Sequence, residues 1–513
     1  KRIFTMNFHT KGHVLENGNI TDGNADVKYF PYYVDGKYMV VLPPQSGNNS
    51  AAFIKINLDK TADYTFTGIP ELKPGKAYTL SLQIGHDGVK LVSPITVKDW
   101  EGTKNMTGGT ATLKPEYYSW YTTNPNAETF TLSTADELRA FAKLVNGDPE
   151  ALAATKATAA VNFEGKTVQI DDAVTTLDLS GTQWTPIGKD ENRNATPFNG
   201  IFDGKGKEIK GLTITASSGK NFGLFGVIDG DAALVKNVRL TGVNIACANS
   251  DYIGGIVARP DKGSVSSCYV SGTITGKNTI GGITGFVNKN YFITDCYTAG
   301  TITGLPATEN SQCEIGGITG DNSGKIENCY STANVTTNGT SGGGIAGINS
   351  NGFINHCYST GTVSGTNTIG GIVGVCWADS KTTGCIALNA EVKANKTDAT
   401  KFGRISGELL EYNSRMATIE NCYAFEGMKV YKENNSQTIN DGAVDNINGA
   451  NLATNACLTA ATYTDASWST EKWGFDGNTP MQSLPWLKVF ESWTWENVAD
   501  YRPAIPTHLV QVP

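Results

Sequence analysis

A six-residue motif, Ile-Gly-Gly-Ile-x-Gly, recurs through the middle of this chain and restricts its fold more than any other feature of the sequence. The clear copies begin at Ile253, Ile280, Ile315, Gly342 and Ile369, and degenerate copies begin at Phe222 and Phe402. The glycine pairs fall 27 residues apart where no insertion intervenes, as between Gly254 and Gly281. A fixed period of this length is typical of a solenoid, in which each repeat forms one coil.

Each repeat contains three short apolar segments, which predicts three strands per coil. The glycine motif is followed by an Ile-x-x-Cys-Tyr segment and then by a Gly-Thr-Ile/Val-x-Gly segment. These segments are β-branched and too short for helices. We therefore expect an all-β chain with a three-sided, right-handed parallel β-helix whose coils lie about 4.8 Å apart. A single coil cannot bury its apolar side, so the coils must stack and the two ends must be capped.

The combined pattern resembles the GLUG-type repeat of bacterial surface proteins. It extends from about Phe130 to Leu487 when the lead-in and closing segments are included. The resemblance implies a β-helix displayed at a bacterial cell surface, and it implies little about chemistry. We place this β-helix with its caps at residues 130–490 and a C-terminal tail at residues 491–513.

The first 105 residues have a different pattern, in which short alternating segments are separated by turns such as Asp35-Gly36. Regular short strands with such turns predict a β-sandwich. The run from Leu72 to Trp100 resembles the end of a fimbrillin-like domain, a type of fimbrial subunit found on Bacteroidales surfaces. Residues 106–129 are expected to form a linker. Its aromatic cluster, Tyr117 to Tyr121, either packs the two domains together or contacts a ligand.

One helix is predicted immediately before the repeats. Thr134, followed three residues later by Glu137, forms a capping-box pattern, and apolar residues follow at helical spacing. We expect this amphipathic helix to cap the first coil. The tail contains five tryptophans, at positions 468, 473, 486, 493 and 495. We expect it to seal the last coil, and exposed tryptophans that stack on sugars are the alternative.

The chain contains ten cysteines, most of them at the same place in the repeat. Side chains in parallel, in-register strands point the same way, which favours a ladder of free buried thiols over disulfides. One or two disulfides that involve Cys247, Cys313 or Cys376 are the alternative. The sequence has no Cys-x-x-Cys and no Cys/His pairing, so we expect no metal site and no cofactor.

Composition and motifs exclude several functions. A formal net charge of −8 argues against nucleic acid as the main partner. No apolar run is long enough for a transmembrane segment. The sequence lacks His-Glu-x-x-His, and His356 next to Cys357 is expected to point away from it, so we predict no catalytic residues.

Two hypotheses remain. The first is a non-enzymatic adhesin or fimbria-associated binding protein, extracellular and attached to the outer membrane or to fimbriae. Its partners would be a host or microbial surface glycan or protein and other fimbrial subunits. The second is a carbohydrate-active enzyme, a polysaccharide lyase or glycosidase, which requires an acid cluster with a basic residue on one face of three adjacent coils. The sequence shows no such cluster, because the repeats have few acids. Asp295, Glu327 and Glu420 fall just before the cysteine position and are expected to lie on a solvated face. This favours the first hypothesis.

Ligand contacts are predicted at three insertions that should bulge from the corners of the coils. They comprise residues 305–314, 375–381 and 408–417. Loops held by a rigid scaffold commonly carry binding residues. Trp377 and Asp379, in the second insertion, are the candidate ligand-binding residues.

Overall fold

The structure is a computed structural model that describes residues 115–510, apart from residues 192, 193, 307, 309, 310, 312, 440 and 441, and the strands between Ile3 and Asp99. The chain divides into two compact units, Lys1–Thr110 and Ala111–Pro513. No helix in the described part of the chain is both long and apolar enough to span a membrane.

The described strands of the N-terminal unit pair antiparallel, as the alternating pattern predicts. The four-stranded sheet has the order Ile20–Tyr29, Ile3–Val14, Asn48–Leu58, Ala62–Ile69. The two-stranded pairs are Tyr32–Val34 with Lys37–Met39, Lys76–Thr79 with Thr96–Asp99, and Leu82–Gly85 with Gly88–Leu91. The packing of two layers into a sandwich depends on side chains that lie outside the described residues.

The second unit confirms the parallel β-helix: in its described residues, three long parallel sheets run along the stacked coils. Sheet 1 holds the glycine motifs: Gly219–Phe222, Ser250–Gly254, Asn278–Gly281, Glu314–Gly316, Ser341–Gly343, Thr368–Gly370 and Phe402–Gly403. Sheet 2 begins with Thr129–Leu132, Thr167–Ile170, Ile201–Asp203, Phe225–Lys236 and Val257–Ser266. Each later coil adds two strands to sheet 2, because a corner divides the segment.

We call the two halves of the divided sheet 2a and 2b. Sheet 2a contains Thr284–Val287, Thr319–Asn322, Ala346–Asn349, Val373–Cys376 and Ser406–Leu409. Sheet 2b contains Phe292–Thr294, Lys325–Glu327, Phe353–Asn355, Lys381–Thr383 and Thr418–Glu420.

Sheet 3 follows the cysteine of each repeat. Its first strands are Thr176–Asp178, Glu208–Lys210, Thr213–Thr215, Arg239–Ala246, Tyr269–Gly276 and Tyr297–Gly304. Its later strands are Tyr330–Ser331, Asn334–Thr337, Tyr358–Ser359, Val363–Gly365, Ile386–Ala387, Glu391–Ala394, Tyr423–Phe425, Lys429–Lys432, Asn435–Gln437 and Ala450–Leu452. Outside the three sheets, the antiparallel pairs are Lys189–Glu191 with Asn194–Thr196, Glu411–Tyr412 with Arg415–Met416, and Trp473–Gly474 with Trp486–Leu487.

The coils stack in register, so equivalent residues form ladders inside the helix. Ile280 pairs with Ile315 in sheet 1, and both are fully buried. The second glycine of the motif is required by a close approach between coils. A Cβ atom on Gly317 would clash with the carbonyl oxygen of Gly344 in the next coil. The glycine motif therefore sets the spacing of the coils as well as the corner.

The cysteine ladder is present as expected. Each of the ten cysteines is buried and free, so the disulfides considered for Cys247, Cys313 and Cys376 are absent. The residue before each cysteine usually has left-handed backbone geometry, for example Asp295 with φ 55° and His356 with φ 49°. This turn points the cysteine inward and directs the residue before it away from the core.

Helices cover the N-terminal end of the β-helix. They are α1 (Ser119–Thr122), α2 (Ala135–Val145) and α3 (Pro149–Thr155), after a 3-10 turn at Pro115–Tyr118. The side chain of Thr134 accepts a hydrogen bond from the Glu137 amide, which confirms the predicted cap of α2. Helix α3 is not in the sequence prediction, although Asp148 followed by Pro149 is a recognisable start signal.

The aromatic cluster at Tyr117 to Tyr121 belongs to this cap. The Trp120 ring lies 5.9 Å from Phe130 and 6.1 Å from Phe163, measured between ring centroids. Phe141 of α2 extends the cluster towards Phe198, at 5.6 Å. The described part of the expected linker is therefore packed on the first coils.

The C-terminal segment follows a path that the sequence did not reveal. After α4 (Thr454–Cys457) and α5 (Ala460–Asp465) come 3-10 turns at Lys488–Ser492, Val498–Asp500 and Thr507–Leu509. Residues 468–509, which we call the strap, lie along the side of the β-helix over the tyrosines that follow the cysteines. Trp473 packs 5.9 Å from both Tyr330 and Tyr358. The expectation that these residues seal the last coil is therefore corrected: they cover a lateral face.

The strap reaches far along the coils. Arg239 donates a hydrogen bond to the Thr494 carbonyl at 2.6 Å, and at the other extreme Trp468 donates to the Gly384 carbonyl at 2.8 Å. Trp468, Trp473 and Trp486 are buried. Tryptophans that lie against the coils in this way do not form an exposed sugar platform.

Candidate functional site

Two outward-facing positions repeat in each coil on either side of the glycine corner. The position in sheet 1 runs in register through Tyr252, Thr279, Glu314, Ser341, Thr368 and Lys401. The position in sheet 2 runs through Arg259, Phe286, Asp321, Ile348, Val375 and Glu408. Lys401 Nζ lies 2.8 Å from Glu408 Oε1, which shows that the two positions of one coil face each other across the corner.

Three adjacent coils place large polar and aromatic side chains at these positions, which line a cavity of about 440 Å³ that opens to solvent. We call it the three-coil pocket. Its lining residues are Tyr252, Arg259, Asp261, Asn278, Thr279, Phe286, Glu314 and Asp321. Concave sites with aromatic walls and a few convergent polar groups are typical of small-ligand binding.

Hydrogen bonds hold two of the pocket carboxylates in place. Arg259 binds Asp261 through Nε and one Nη, each 2.8 Å from a carboxylate oxygen. Thr279 Oγ1 donates to Glu314 Oε2 at 2.9 Å. The two-point contact of a guanidinium with a carboxylate fixes the orientation of both groups. These residues therefore form a rigid wall of the pocket.

Asp321 differs from the other two carboxylates. Burial, with a smaller contribution from the Glu314 carboxylate, raises the pKa of Asp321 to about 6, and a hydrogen bond with the Ser350 side chain opposes the rise. Its Oδ1 atom is buried without a hydrogen-bond partner among the described residues. Asp321 is thus placed to contact a ligand, and it can gain or lose a proton near neutral pH.

The backbone at the pocket adopts unusual geometry. Tyr252 has φ 55° and Thr279 has φ 45°. Bulky and β-branched residues rarely occupy this left-handed region. Strained residues persist where the surrounding structure holds them, and they cluster at ligand sites. The strain is therefore consistent with the assignment of this pocket as the candidate site.

From the sequence we expected no acid cluster with a basic residue on three adjacent coils, and that expectation was wrong. The pocket brings Asp261, Glu314 and Asp321 together with Arg259. The acids near the cysteine, such as Asp295 and Glu327, lie elsewhere in the coil. The signal that could have found the pocket is a pair of variable positions seven residues apart, such as Glu314 and Asp321, that flank each glycine motif.

The predicted residues Trp377 and Asp379 lie in a different place, the corner loop between Val373–Cys376 and Lys381–Thr383. Trp377 is 43% exposed. Asp379 Oδ2 lies 2.6 Å from Arg415 Nη1, in the hairpin formed by the 408–417 insertion. Two of the three predicted insertions therefore meet at this corner. The 305–314 insertion lies partly outside the described residues, and the ligand role of Trp377 and Asp379 stays a prediction.

The acids near the cysteines form ion pairs with lysines and do not line the three-coil pocket. Asp295 is buried and its Oδ2 lies 2.9 Å from Lys472 Nζ of the strap. The expectation that Asp295 lies on a solvated face is therefore wrong. Glu327 Oε2 lies 2.7 Å from Lys325 Nζ. His356 is partly buried, which lowers its pKa, while the neighbouring Cys357 is fully buried in the ladder. Neither His356 nor Cys357 lines the three-coil pocket.

Comparison with known families and curated proteins supports the repeat assignment. A family model described as the GLUG motif matches residues 249–275. Halomucin of Haloquadratum walsbyi is 32% identical over 127 residues, which are 24% of this chain and 1% of Halomucin. A protein of Evansella cellulosilytica named "Putative Gly-rich membrane protein" is 36% identical over 103 residues, which are 20% of this chain and 11% of that protein. The chain thus matches only a small part of either relative.

Two solved structures are also similar. A "putative immunoglobulin A1 protease from Bacteroides ovatus" has a TM-score of 0.45 and 19% identity, over 70% of this chain and 92% of that chain. A structure titled "IgA1 Protease" has a TM-score of 0.43 and 14% identity, over 85% of this chain and 31% of that chain. Similarity at this level assigns no activity to this chain.

Proposed function

We propose that this chain is a non-enzymatic, adhesin-type protein of the bacterial cell surface that binds a saccharide in the three-coil pocket. The observation that carries the proposal is the composition of the pocket. Tyr252 and Phe286 supply ring faces for the apolar side of a sugar, and the carboxylates and the Asn278 amide supply hydrogen-bonding groups for hydroxyls. The β-helix then serves as the rigid support of the site.

A surface location is supported by the GLUG motif and by the name of the Evansella relative, which describes a membrane protein. The fimbrillin-like resemblance of residues 1–105 extends this proposal to attachment at the outer membrane or fimbriae of a Bacteroidales-type cell. Other fimbrial subunits would then be additional partners.

Saccharide cleavage is the second candidate function, and the raised pKa of Asp321 is the observation that favours it. A group that titrates near pH 6 suits a general acid. Glycosidases require two working carboxyl groups. Here Asp261 is engaged by Arg259, and Glu314 is 3% exposed and bonded to Thr279. The geometry therefore supports binding better than cleavage.

The test uses the purified full chain on a glycan array, followed by measurement of new reducing ends with every glycan that binds. We expect saturable binding without product. The Phe286→Ala variant should lose binding, because a ring wall of the pocket is removed. Ile348→Ala is the matched control, since Ile348 occupies the same repeat position two coils further on, outside the pocket. If Phe286→Ala binds the glycan as tightly as the natural chain, the pocket is not the binding site. If the natural chain releases new reducing ends and Asp321→Asn does not, the protein is a saccharide-cleaving enzyme instead.

A further inference from the structure

A second surface, on sheet 2b, carries a regular row of exposed side chains. Phe292 pairs in register with Lys325, Lys325 with Phe353, and Phe353 with Lys381. We call these four residues the stripe. A phenylalanine therefore appears on every second coil, with a lysine on the coil between.

The phenylalanines of the stripe are exposed to solvent. Phe292 is 40% exposed and Phe353 is 51% exposed, whereas the isoleucines that follow them, Ile293 and Ile354, are buried. The alternation of a strand explains which residue of each pair faces outward. It does not explain why the outward residue is aromatic, because an exposed ring contributes little to the core. Exposed apolar groups in an ordered array commonly mark an interaction surface.

Each lysine of the stripe forms an ion pair with a glutamate, which neutralises its charge. Lys325 Nζ lies 2.7 Å from Glu327 Oε2, and Lys381 Nζ lies 2.6 Å from Glu420 Oε2. Glu327 also accepts a hydrogen bond from Asn355 Nδ2 at 3.0 Å. Ion pairs at a protein surface are weak, so the lysine ammonium groups remain able to bond other acceptors. The coil between two phenylalanines thus presents a hydrogen-bonding pair with no net charge, which suits a ligand that is polar and neutral.

We propose that the stripe binds a neutral, linear, β-1,4-linked polysaccharide that lies along the axis of the β-helix. The two phenylalanines are two coils apart, about 9.6 Å at the usual strand spacing. In an extended β-1,4-linked chain, alternate sugars have the same orientation, and one sugar is close in length to one coil step. Every second ring can therefore stack on a phenylalanine while the hydroxyls of the intervening sugar bond the lysine–glutamate pair.

Beyond the last lysine of the stripe, the in-register residue of the next coil is Thr418. Trp377, which is 43% exposed, precedes Lys381 in the same coil, and Tyr412, 57% exposed, lies in the hairpin that precedes Thr418. These aromatic side chains are close in sequence to that end of the stripe. A protein partner fits the stripe less well, since charged pairs separate the rings where the core of a protein interface is depleted of charge. The stripe is separate from the three-coil pocket, and either site can exist without the other.

The test is calorimetric titration of the full chain with cello- and chito-oligosaccharides of two to six units, with laminarihexaose as a β-1,3-linked comparison. We expect affinity to rise with chain length for the β-1,4-linked series, and little binding of laminarihexaose. Phe292→Ala and Phe353→Ala should each weaken hexasaccharide binding about tenfold, and the double variant should abolish measurable binding. Because both rings are exposed, the variants should unfold at the same temperature as the natural chain.

Two control variants lie outside both the stripe and the pocket. Val498→Ala removes an exposed apolar side chain on the strap and should leave hexasaccharide binding unchanged. Ile348→Ala, at the repeat position of Phe286 but outside the pocket, should also leave it unchanged. Hexasaccharide binding that survives the double variant would overturn the proposal, as would equal affinity for all chain lengths. Phenylalanine-dependent self-association of the chain without glycan binding would likewise overturn it and assign the stripe to a protein contact.

Discussion

Tyr330 donates a hydrogen bond to the main-chain carbonyl of Tyr501 at 2.9 Å, although 171 residues separate them in the sequence. Tyr358, one coil further on, makes the same kind of bond to the carbonyl of Pro485 at 2.7 Å. Both tyrosines follow a cysteine of the interior ladder. The repeat therefore presents hydroxyl donors at regular intervals on its outer side, and the strap supplies carbonyl acceptors.

The first prediction concerns these bonds. The Tyr330→Phe substitution leaves the buried carbonyl of Tyr501 without its donor, which should lower the free energy of unfolding by about 1–3 kcal/mol. Urea unfolding gives the change, and hydrogen exchange should increase in residues 484–509. Tyr412→Phe, at an exposed tyrosine of the hairpin, is the control. It should change neither the free energy of unfolding nor the hydrogen exchange of the strap. Unchanged exchange in the strap would show that the bond does not hold it.

The second prediction is the pH dependence of stability that Asp321 causes. Its folded pKa is raised to about 6, compared with about 3.9 in an unfolded chain. Between these values the folded state binds more protons than the unfolded state. The contribution of Asp321 to the free energy of unfolding therefore falls as pH rises from about 4 to about 6, and the loss is complete above that range.

The variant Asp321→Asn should remove this dependence. Above pH 6 we expect it to be more stable than the natural chain by on the order of 1 kcal/mol, after allowance for partial screening by solvent. Urea titrations at pH 4.5 and 7.5 measure the difference. If the free energy of unfolding changes with pH by the same amount in both proteins, Asp321 is not the source of the pH dependence.

The third prediction concerns the thiols. The ten cysteines are buried and free, and burial raises the pKa of thiols such as Cys385 and Cys422 well above the usual range. A polar maleimide should modify none of them in the folded protein, because all ten thiols are fully buried and the reagent cannot reach them. After denaturation without reductant, mass spectrometry should find ten modified cysteines. Eight or fewer would reveal a disulfide.

The fourth prediction concerns the glycine motif. Gly317→Ala introduces a methyl group against the Gly344 carbonyl and should destabilise the β-helix by about 3 kcal/mol or more. Gly477→Ala is a suitable control, since a Cβ atom there would have no neighbour within 4 Å. Thermal unfolding of the two variants should differ clearly. Equal midpoints would show that the coils can separate locally to make room.

The fifth prediction addresses the corner at Trp377. If long saccharides extend from the stripe to this corner, Trp377→Ala should weaken the binding of hexasaccharides and leave that of disaccharides unchanged. Asp379→Asn should have a smaller effect, because its ion pair with Arg415 positions the neighbouring hairpin. Calorimetric titration with disaccharides and with hexasaccharides measures both effects. Equal affinity of Trp377→Ala and the natural chain for hexasaccharides would remove the corner from the ligand surface.

The repeats made much of the fold predictable. Interior positions such as Ile280 and Ile315 recur with the period of the coil, so their ladder and the inward cysteines could be derived by alignment of the chain with itself. The path of the strap could not be derived in this way. Trp473 and Tyr501 occur in a segment without repeats, and their contacts join positions far apart in the sequence.

The pocket was also hidden from sequence inspection, for a different reason. Glu314 and Asp321 occupy positions that vary from coil to coil, and Ser341 and Ile348 replace them in the next one. A pattern defined by what repeats gives no weight to positions that differ. The site arises because three adjacent coils depart from the consensus at the same corner.

The strap changes how the β-helix should respond to mechanical load. A stack of coils that touch only their neighbours can be peeled away from either end, one coil at a time. Here the strap binds Arg239 through Thr494, and His508 Nε2 lies 2.8 Å from the Leu388 carbonyl oxygen several coils further on. The coils between these two contacts are thus braced along their length. Tension on the molecule must detach this brace before those coils can unwind, so they should yield in one large step rather than in a series of small ones.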